Sequence, residues 1–307
     1  MSQNFRVGVV GLGAMGGPVV EHLLEIGTSV VVFDEDPHKT NGLVQLGATA
    51  TTSCASMADE VDWMLLFLPG PREVSAVGSE ILAAPRRLRG IIDCTTSDPT
   101  VSRDVGERLS SAGVLYADAG MLGNPPLART GSLLLLLGAT EADAGPLMPL
   151  LSLVSRKVFY LGSVGGGHAA KLAANELFTS QVAAMAEALA VLRALDVDHD
   201  VFLDALSATG GRGVGLADIG KTMLSEPPAT GFALRLAAKD VSLLDALAGS
   251  SGVSAPVAAA LAGLFAAAAE NDGNADYTRV YHHIVQTQGG GKETPSDINC
   301  TPVHSAT

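Results

Sequence analysis

Three observations on the sequence predict an α/β domain followed by an all-helical domain. In the first half, short apolar runs alternate with stretches of helical period, as in strands of a parallel sheet covered on both faces. A glycine-rich segment directly follows the first of these runs. Beyond Gly165 the strand-like runs stop, and long segments rich in alanine and leucine follow.

The elements can be placed in chain order. The expected strands are the apolar runs RVGVV, SVVVFD, WMLLFLP, GIIDCTT, LYADAG and SLLLLLG, with helices between them. The expected later helices run from about His168 to Leu195 and through FLDALSA, ALRLAAKDVSLLDALAG and PVAAALAGLFAAAAEN. At 307 residues, two domains fit at about 100 to 200 residues each. We expect an α/β domain over residues 1–163, a helical domain over 164–287 and a disordered tail over 288–307, whose glycine, proline and polar residues show no apolar period.

Composition and charge exclude several function classes. Hydrophobic residues make up 47% and aromatic residues 4%, which indicates an aliphatic core. The 19 basic and 32 acidic residues give a net charge of 19 − 32 = −13, which repels nucleic acids and anionic membranes alike. The most apolar run, Leu133–Leu137, is far too short to span a membrane. We therefore expect no nucleic-acid partner and no membrane.

The cysteines also bear on the compartment. Cys54, Cys94 and Cys300 lie far apart and form no Cys-x-x-Cys pair, which argues against a disulfide framework or a metal site. The N-terminus lacks the basic lead and the apolar stretch of a secretory signal. The expected location is the cytoplasm.

A dinucleotide site is predicted by the glycine-rich segment. The first strand is followed by a G-x-G-x-x-G sequence, formed by Gly11, Leu12, Gly13, Ala14, Met15 and Gly16. Its first glycine permits a tight turn, its second lets a pyrophosphate approach the backbone, and its third lets helix and strand pack closely. The helix that follows offers free N–H groups and a positive dipole end to phosphates.

An acidic residue follows the second strand at the expected distance. Asp34 lies 18 residues beyond Gly16, where a carboxylate can accept hydrogen bonds from the adenosine ribose. With no nearby arginine it would repel a 2′-phosphate, so it favours NAD over NADP. The alternative is that Asp34 only begins a turn with Asp36 and Pro37. The order of strand, glycines, helix, strand and acid predicts a Rossmann domain that binds NAD.

A lysine and an asparagine four residues apart are the candidate catalytic pair. Lys171 and Asn175 share one face of the predicted long helix, among apolar neighbours. A lysine can protonate an alkoxide or, when neutral, remove a hydroxyl proton, and an asparagine can orient it or the substrate. A solvated lysine is the alternative. For Lys239, followed by Asp240, an ordinary surface ion pair and a site role both remain open.

Together these pieces resemble the β-hydroxyacid dehydrogenase family over nearly the whole chain, from about Phe5 to Ile284. The matching segments are GVVGLGAMG, FLP, DCTTSDP, the stretch from Asp118 to Leu133, GSVGGGHAAKLAAN and AAKDVSLL. The resemblance implies a Rossmann domain followed by an all-helical domain that binds substrate and forms the oligomer, with a homodimer or homotetramer expected.

The resemblance also implies roles for individual residues. Lys171 would be the catalytic acid/base and Asn175 its partner in orienting substrate. Cofactor-binding residues beyond the glycine segment and Asp34 would be Leu68, Pro69, Thr96, Phe232 and Lys239. The substrate would contact Leu122, Gly123 and Asn124 besides the catalytic pair.

This chain departs from the family pattern in the loop ADAGMLGNPPLARTGSL. Relatives that use small carboxylates usually have Ser-Gly-Gly where this chain has Leu122, Gly123 and Asn124. A lost hydrogen bond to a charged group costs about 1.5 to 3 kcal/mol, although Asn124 could restore a donor. With Met121, Leu122 makes the expected pocket more apolar, so a bulkier substrate or one without the usual carboxylate remains open. A second departure, Ala174 where many relatives have asparagine, is expected to be tolerated.

The leading hypothesis is an NAD-dependent oxidoreductase that interconverts the hydroxyl and carbonyl of a small β-hydroxyacid-type substrate. An imine reductase shares the architecture, but such enzymes usually lack a lysine at the position of Lys171 and tend to prefer NADPH. A 6-phosphogluconate dehydrogenase would have a much longer helical part. A non-catalytic NAD-binding module is the alternative from another class, and the presence of Lys171 argues against it.

Overall fold

A computed structural model describes residues 5–225 and 230–288, except for the side chains of residues 211, 212, 214 and 288. Of the tail expected over 288–307, residues 289–307 lie outside this described part. The strands are β1 (Arg6–Val10), β2 (Ser29–Phe33), β3 (Thr49–Ala50), β4 (Trp63–Leu66), β5 (Gly90–Asp93), β6 (Leu115–Leu122), β7 (Leu133–Leu137) and β8 (Ser155–Tyr160).

The helices connect these strands and then make up the rest of the described chain. They are α1 (Gly16–Glu25), α2 (His38–Gln45), α3 (Cys54–Glu60), α4 (Pro71–Leu82), α5 (Pro99–Ser111), α6 (Pro125–Arg129), α7 (Glu141–Ala144), α8 (Met148–Val154), α9 (Gly166–Ala194), α10 (His199–Ser207), α11 (Gly211–Leu224), α12 (Leu234–Ser250), α13 (Pro256–Asp272) and α14 (Val280–Gln288). Short 3₁₀ turns occupy Gly145–Leu147 and Tyr277–Arg279.

The strands form one sheet in the order β3-β2-β1-β4-β5-β6-β7-β8. From β3 to β6 all neighbours are parallel, as expected, but β6 and β7 are antiparallel. The connection between them, residues 123–132, is shorter than the dozen or more residues that a parallel crossover requires. The fold is therefore a mostly parallel Rossmann sheet, and the expectation of parallel pairing fails at this one point.

Both faces of the sheet are buried. Successive strand residues point to opposite faces, so each strand contributes side chains to two core clusters. In β1, Val7 and Val9 pack into one core cluster, whereas Val10 packs into the other. In β4, Leu65 belongs to the first cluster and Met64 to the second. This arrangement explains why the strands are continuous apolar runs.

The chain divides into two compact units. The first comprises the described residues up to Leu177 together with Lys239–Ala262, and the second comprises Phe178–Ala238 and the described residues from Gly263 onward. The change from strands to helices falls between β8 and α9, where the sequence places it. The domain limits at residues 163 and 164 remain a prediction.

Within the second unit, α10 packs against α11 through a close contact. A Cβ added to Gly220 would lie 2.5 Å from the Cδ2 of Leu203, which is fully buried. The carboxylate of Asp198 caps α10 by accepting hydrogen bonds from the backbone N–H groups of Asp200 and Val201.

The 29-residue helix α9 is, among the described helices, the one long and apolar enough to cross a membrane by length and composition. Of its most apolar window, 39% is buried inside the protein, and the core helix of a globular protein passes the same test. The helix also carries the buried polar residues His168, Asn175 and Thr179. Its length and composition therefore carry no conclusion about a membrane.

Candidate active site

The glycine-rich turn between β1 and α1 has no room for side chains at two of its glycines. Gly11 has a φ of +86°, and its N–H donates to the carbonyl of Phe33 at 2.9 Å. A Cβ on Gly11 would collide with the carbonyl oxygen of Phe67, and one on Gly16 with the carbonyl oxygen of Gly11. Gly13 faces open space and is exposed. The turn thus packs tightly on its strand side and is open at Gly13.

The start of α1 suits an anion. The residue before the helix, Met15, makes no side-chain capping bond, and the first turn carries no acidic residue. The first backbone N–H groups of a helix have no partner within it, and together with the positive dipole end they are the usual partners of a pyrophosphate. Of the remaining residues of the glycine-rich motif, Leu12 is buried and Ala14 is exposed. The residues present therefore fit a dinucleotide cofactor.

Asp34 immediately follows β2 and is tied to the glycine-rich turn. Its Oδ2 accepts a 2.7 Å hydrogen bond from the N–H of Leu12, and its Oδ1 accepts bonds from the N–H of Asp36 and the Nζ of Lys39. Burial would raise the pKa of Asp34, but these hydrogen bonds and the charge of Lys39 outweigh it, so the net pKa is lowered. Asp34 is a charged anchor of the turn and not only the start of a bend.

Lys39 is a neighbour of Asp34 that was not predicted from the sequence. Its Nζ lies 3.0 Å from the Oδ1 of Asp34, and its side chain is 45% exposed. The signal was its position five residues after Asp34, in the first turn of α2. A cation therefore stands beside the carboxylate that was expected to act alone.

The carboxyl ends of β4 and β5 meet beside β1, because these three strands are neighbours in the sheet. The N–H of Leu68 donates to the Oγ1 of Thr95 at 3.0 Å, which joins the two strand ends. Pro69 is exposed, and Thr96 is half-buried. Thr96 was the residue expected beside the cofactor, whereas the bridging hydroxyl of Thr95 was not predicted from the sequence.

Lys171 stands on α9 opposite the end of β6. A Cβ placed on Gly120 would lie 2.5 Å from the Cβ of Lys171 and 2.8 Å from the carbonyl oxygen of Gly167. The helix and strand therefore approach closely only because residue 120 is glycine. One turn further along α9, Asn175 is 5% exposed. Lys171 itself is half-buried, so of the pair that was expected to be buried only Asn175 is fully so.

The carboxylate of Asp240, for which no role was predicted, is hydrogen-bonded to Asn175 of the candidate catalytic pair. The Nδ2 of Asn175 donates to the Oδ2 of Asp240 at 2.6 Å. The Nζ of Lys239 lies 3.0 Å from the Oδ1 of Asp240 and donates to the carbonyl oxygen of Thr96 at 2.7 Å. Asp240 is 2% exposed. Lys239 is 27% exposed, so this ion pair joins a partly exposed lysine to a buried carboxylate and is not an ordinary surface pair.

Burial and charge shift the ionisation of this cluster. Burial lowers the pKa of Lys171; Asp240 acts in the opposite direction, and Lys239 lowers the pKa further. For Asp240, burial raises the pKa against the effects of Lys239, Lys171 and Asn175. A lysine whose pKa is lowered by burial can exchange a proton nearer to neutral pH than an exposed lysine.

The segment expected to be a loop begins as strand. Met121 and Leu122 are the last residues of β6, half-buried and paired with Leu135 and Leu134 of the antiparallel β7. Gly123 follows with a φ of +151°. These pairings keep both side chains on a rigid element, which corrects the placement of Met121 and Leu122 in a loop.

Asn124 is exposed, and its side-chain oxygen is already in use. The Oδ1 accepts a 3.2 Å hydrogen bond from the N–H of Leu127 and so caps α6. The expectation that Asn124 replaces a lost donor to substrate stays a prediction.

Phe232 belongs to the second unit. Its ring packs edge-to-face on Tyr277 with centroids 5.5 Å apart, and its N–H donates to the Oδ2 of Asp276. Its assignment to the cofactor stays a prediction.

Comparison with known proteins identifies the family. Residues 6–162 match the model described as the NAD binding domain of 6-phosphogluconate dehydrogenase, and residues 165–284 match that described as NAD-binding of NADP-dependent 3-hydroxyisobutyrate dehydrogenase. The 3-hydroxyisobutyrate dehydrogenase of Pseudomonas aeruginosa is 31% identical over 278 residues, which are 87% of this chain and 93% of the relative. The chain belongs to the β-hydroxyacid dehydrogenase family.

A second sequence relative and a solved structure are also similar to this chain. The 2-(hydroxymethyl)glutarate dehydrogenase of Eubacterium barkeri is 28% identical over 79% of this chain and 82% of its own length. The structure of Mycobacterium tuberculosis 3-hydroxyisobutyrate dehydrogenase with L-serine superposes with a TM-score of 0.81 at 26% identity, covering 92% of this chain and 99% of that one.

Family membership confirms the fold class and the expectation of an enzyme. The chain is an NAD(P)-dependent oxidoreductase that acts on CH–OH groups, with a Rossmann domain followed by a helical domain. The non-catalytic module is thereby set aside. The relatives support a hydroxyacid dehydrogenase activity that uses NAD or NADP.

Proposed function

We propose that this enzyme interconverts the hydroxyl and carbonyl groups of a small β-hydroxyacid-type substrate, with Lys171 as general acid/base and NAD as preferred cofactor. The observation that carries the proposal is the polar cluster next to Lys171, in which Asn175 and Asp240 are buried. Its partner Asn175 is held by Asp240, which in turn pairs with Lys239 beside the end of β5. A buried polar cluster at the carboxyl edge of a Rossmann sheet is where reacting groups of this class are expected.

The protein supplies the proton chemistry of this reaction. A nicotinamide cofactor, when bound, would supply hydride transfer to or from the substrate carbon. In the reducing direction the ammonium of Lys171 donates its Nζ proton to the oxygen that becomes the hydroxyl. In the oxidising direction neutral Lys171 removes that proton, and the lowered pKa increases the neutral fraction available near pH 7. Asn175 orients the substrate oxygen or the lysine beside it.

NAD preference is proposed from Asp34. Its carboxylate stands at the ribose end of the predicted site and keeps its negative charge, because its pKa is lowered. That charge disfavours a 2′-phosphate, although Lys39 offsets part of it. The test is the ratio of kcat/KM for NADH and NADPH, and a higher value with NADPH contradicts the proposal.

The substrate pocket is proposed to be more apolar than is usual for small hydroxy acids. Met121 and Leu122 are fixed by strand pairing, and Leu122 stands where relatives that use small carboxylates usually have a serine. We therefore propose a β-hydroxyacid-type substrate with an apolar substituent. Imines are the runner-up class because an apolar pocket also suits them, while Lys171 favours a hydroxyl substrate.

One panel separates these classes. Hydroxy acids and their semialdehydes, hydroxy esters and a cyclic imine are assayed with NADH and NADPH, for the wild type and Lys171→Ala. We expect turnover of a hydroxy acid and a fall of at least about a hundredfold in the variant. Turnover of the imine alone, insensitive to Lys171→Ala, contradicts the proposal.

We further propose self-association into a dimer or tetramer acting in the cytoplasm on a small molecule. Exposed large apolar side chains often mark interfaces. Along α9 and just beyond it these are Leu177, Phe178, Val191 and Leu195. The test is light scattering on the wild type and on Val191→Glu, with the expected result a smaller species in the variant. A monomeric wild type contradicts this proposal.

A further inference from the structure

A fully buried carboxylate lies outside the residues that carry the proposed chemistry. Asp118 is on β6 and has no exposed surface. Its Oδ1 accepts a 2.7 Å hydrogen bond from the N–H of Gly165, and its Oδ2 accepts one of the same length from the N–H of His168. The donors lie 47 and 50 residues further along the chain: Gly165 immediately precedes α9, and His168 is in its first turn.

These bonds replace an ordinary local cap. The first N–H groups of a helix have no partner within it, and a side chain just before the helix usually accepts their hydrogen bonds. Here the acceptor comes from the central sheet, and its negative charge meets the positive end of the helix dipole. The first turn of α9 is therefore attached to β6.

Close packing leaves this attachment little freedom. A Cβ on Gly138 would collide with the Asp118 carboxylate, and a Cβ on Gly167 would lie 2.7 Å from the carbonyl oxygen of Asp118. Two residues after Asp118, Gly120 leaves no room between itself and the Cβ of Lys171. Lys171 follows His168 by three residues, so both lie on one face of the helix.

The ring of His168 fixes the same turn from the other side. It is fully buried, with its Nε2 3.1 Å from the carbonyl oxygen of Asp93 and its Nδ1 2.7 Å from the Oγ of Ser102. A carbonyl only accepts, so Nε2 carries a proton. The turn that precedes Lys171 is thus bonded to β5, β6 and α5.

We propose that Asp118 is a positioning residue for Lys171, acting through the first turn of α9 without touching the substrate. The inference rests on the proposed function, because it assigns Asp118 a kinetic effect only if Lys171 transfers the proton. An error of about 1 Å in the placement of a reacting group can cost about a hundredfold in rate.

The test is Asp118→Asn, alone and combined with Lys171→Ala. Asparagine keeps the shape but turns an NH₂ group toward one of the two N–H donors, so one hydrogen bond is lost. We expect kcat per NADH-binding site to fall about 10- to 100-fold, with the Kd for NADH changed less than about threefold. In the Lys171→Ala background, Asp118→Asn should have no further effect on kcat.

Two other variants complete the design. Gly138→Ala keeps the charge of Asp118 but displaces its carboxylate, and it should reproduce the loss of kcat. Asp198→Ala removes the cap of α10 in the second unit, and it should leave kcat per site unchanged.

The outcomes separate the two proposals. An unchanged kcat per NADH-binding site in Asp118→Asn or Gly138→Ala overturns the inference. Additive losses with Lys171→Ala, or failure of both variants to fold, indicate a purely structural role and overturn it too. Full turnover by Lys171→Ala alone instead rejects the proposed function, whatever Asp118→Asn does.

Discussion

The side-chain nitrogen of Asn175 donates a 2.6 Å hydrogen bond to the Oδ2 of Asp240, deep in the first unit. Because a carboxylate only accepts, this contact fixes which end of the amide faces Asp240. The same carboxylate pairs with Lys239 through its other oxygen. One aspartate thus links the proposed catalytic helix to the lysine that reaches Thr96.

Asp240→Asn tests this link. The variant removes the charge that raises the pKa of Lys171, so that pKa should fall further. Reduction requires protonated Lys171 and oxidation requires the neutral form; hence the Lys171 limb of both pH–rate profiles should move to lower pH. We also expect kcat to fall about tenfold or more, measured by steady-state kinetics from pH 6 to 10.

Asp245→Asn on the same helix serves as the control for Asp240→Asn. Asp245 is five residues further along α12 and takes no part in the cluster. Its profile should match that of the wild type. A limb that stays in place in Asp240→Asn contradicts the electrostatic coupling.

Gly120→Ala tests the close approach of β6 and α9. The added methyl group meets both the Cβ of Lys171 and the carbonyl oxygen of Gly167, so the helix must shift. Overpacking of this kind costs about 1 to 3 kcal/mol of unfolding free energy, and the shift of Lys171 should lower kcat at least tenfold. Urea denaturation and steady-state kinetics measure the two effects.

Gly42→Ala is the matched control for this substitution. Gly42 lies in α2, and an added Cβ meets nothing within 4 Å. Alanine there should keep full activity and should stabilise the protein slightly. Equal activity of the two variants would show that the contact at Gly120 does not position Lys171.

Asp34→Asn tests the cofactor preference. The amide keeps an acceptor for the turn but removes the charge, while Lys39 remains to attract a 2′-phosphate. The ratio of kcat/KM for NADPH over NADH should rise about tenfold, and the rise should shrink in Asp34→Asn/Lys39→Ala. An unchanged ratio in the single variant would remove Asp34 from cofactor selection.

Much of the fold and part of the site could be predicted from the sequence. Glycine spacing after β1 and an acid after β2 are local patterns, and the spacing of Lys171 and Asn175 places them on one helix face. The role of Asp240 was out of reach because its partner Asn175 lies 65 residues away. Whether an acid next to a lysine is buried depends on packing that no local pattern records.

Three other features of the structure were not predicted. Asp118 looks like an ordinary strand residue, yet its bonds to Gly165 and His168 hold the start of α9. The run SLLLLLG was predicted as a strand, but its antiparallel pairing was not, because hydrophobic periodicity does not record strand direction. The contact of Lys39 with Asp34 depends on the turn between β2 and α2, which brings residues five apart within 3.0 Å.

The central claim is proton transfer by Lys171, and amine rescue of Lys171→Ala tests it most directly. Lys157→Ala on β8 serves as the control variant and should keep wild-type turnover. We predict that Lys171→Ala binds NADH as the wild type does, loses at least about a hundredfold in kcat, and regains part of it when small primary amines are added, in proportion to their concentration. Wild-type turnover in Lys171→Ala, or a lost activity that no amine restores while substrate still binds, would contradict the account.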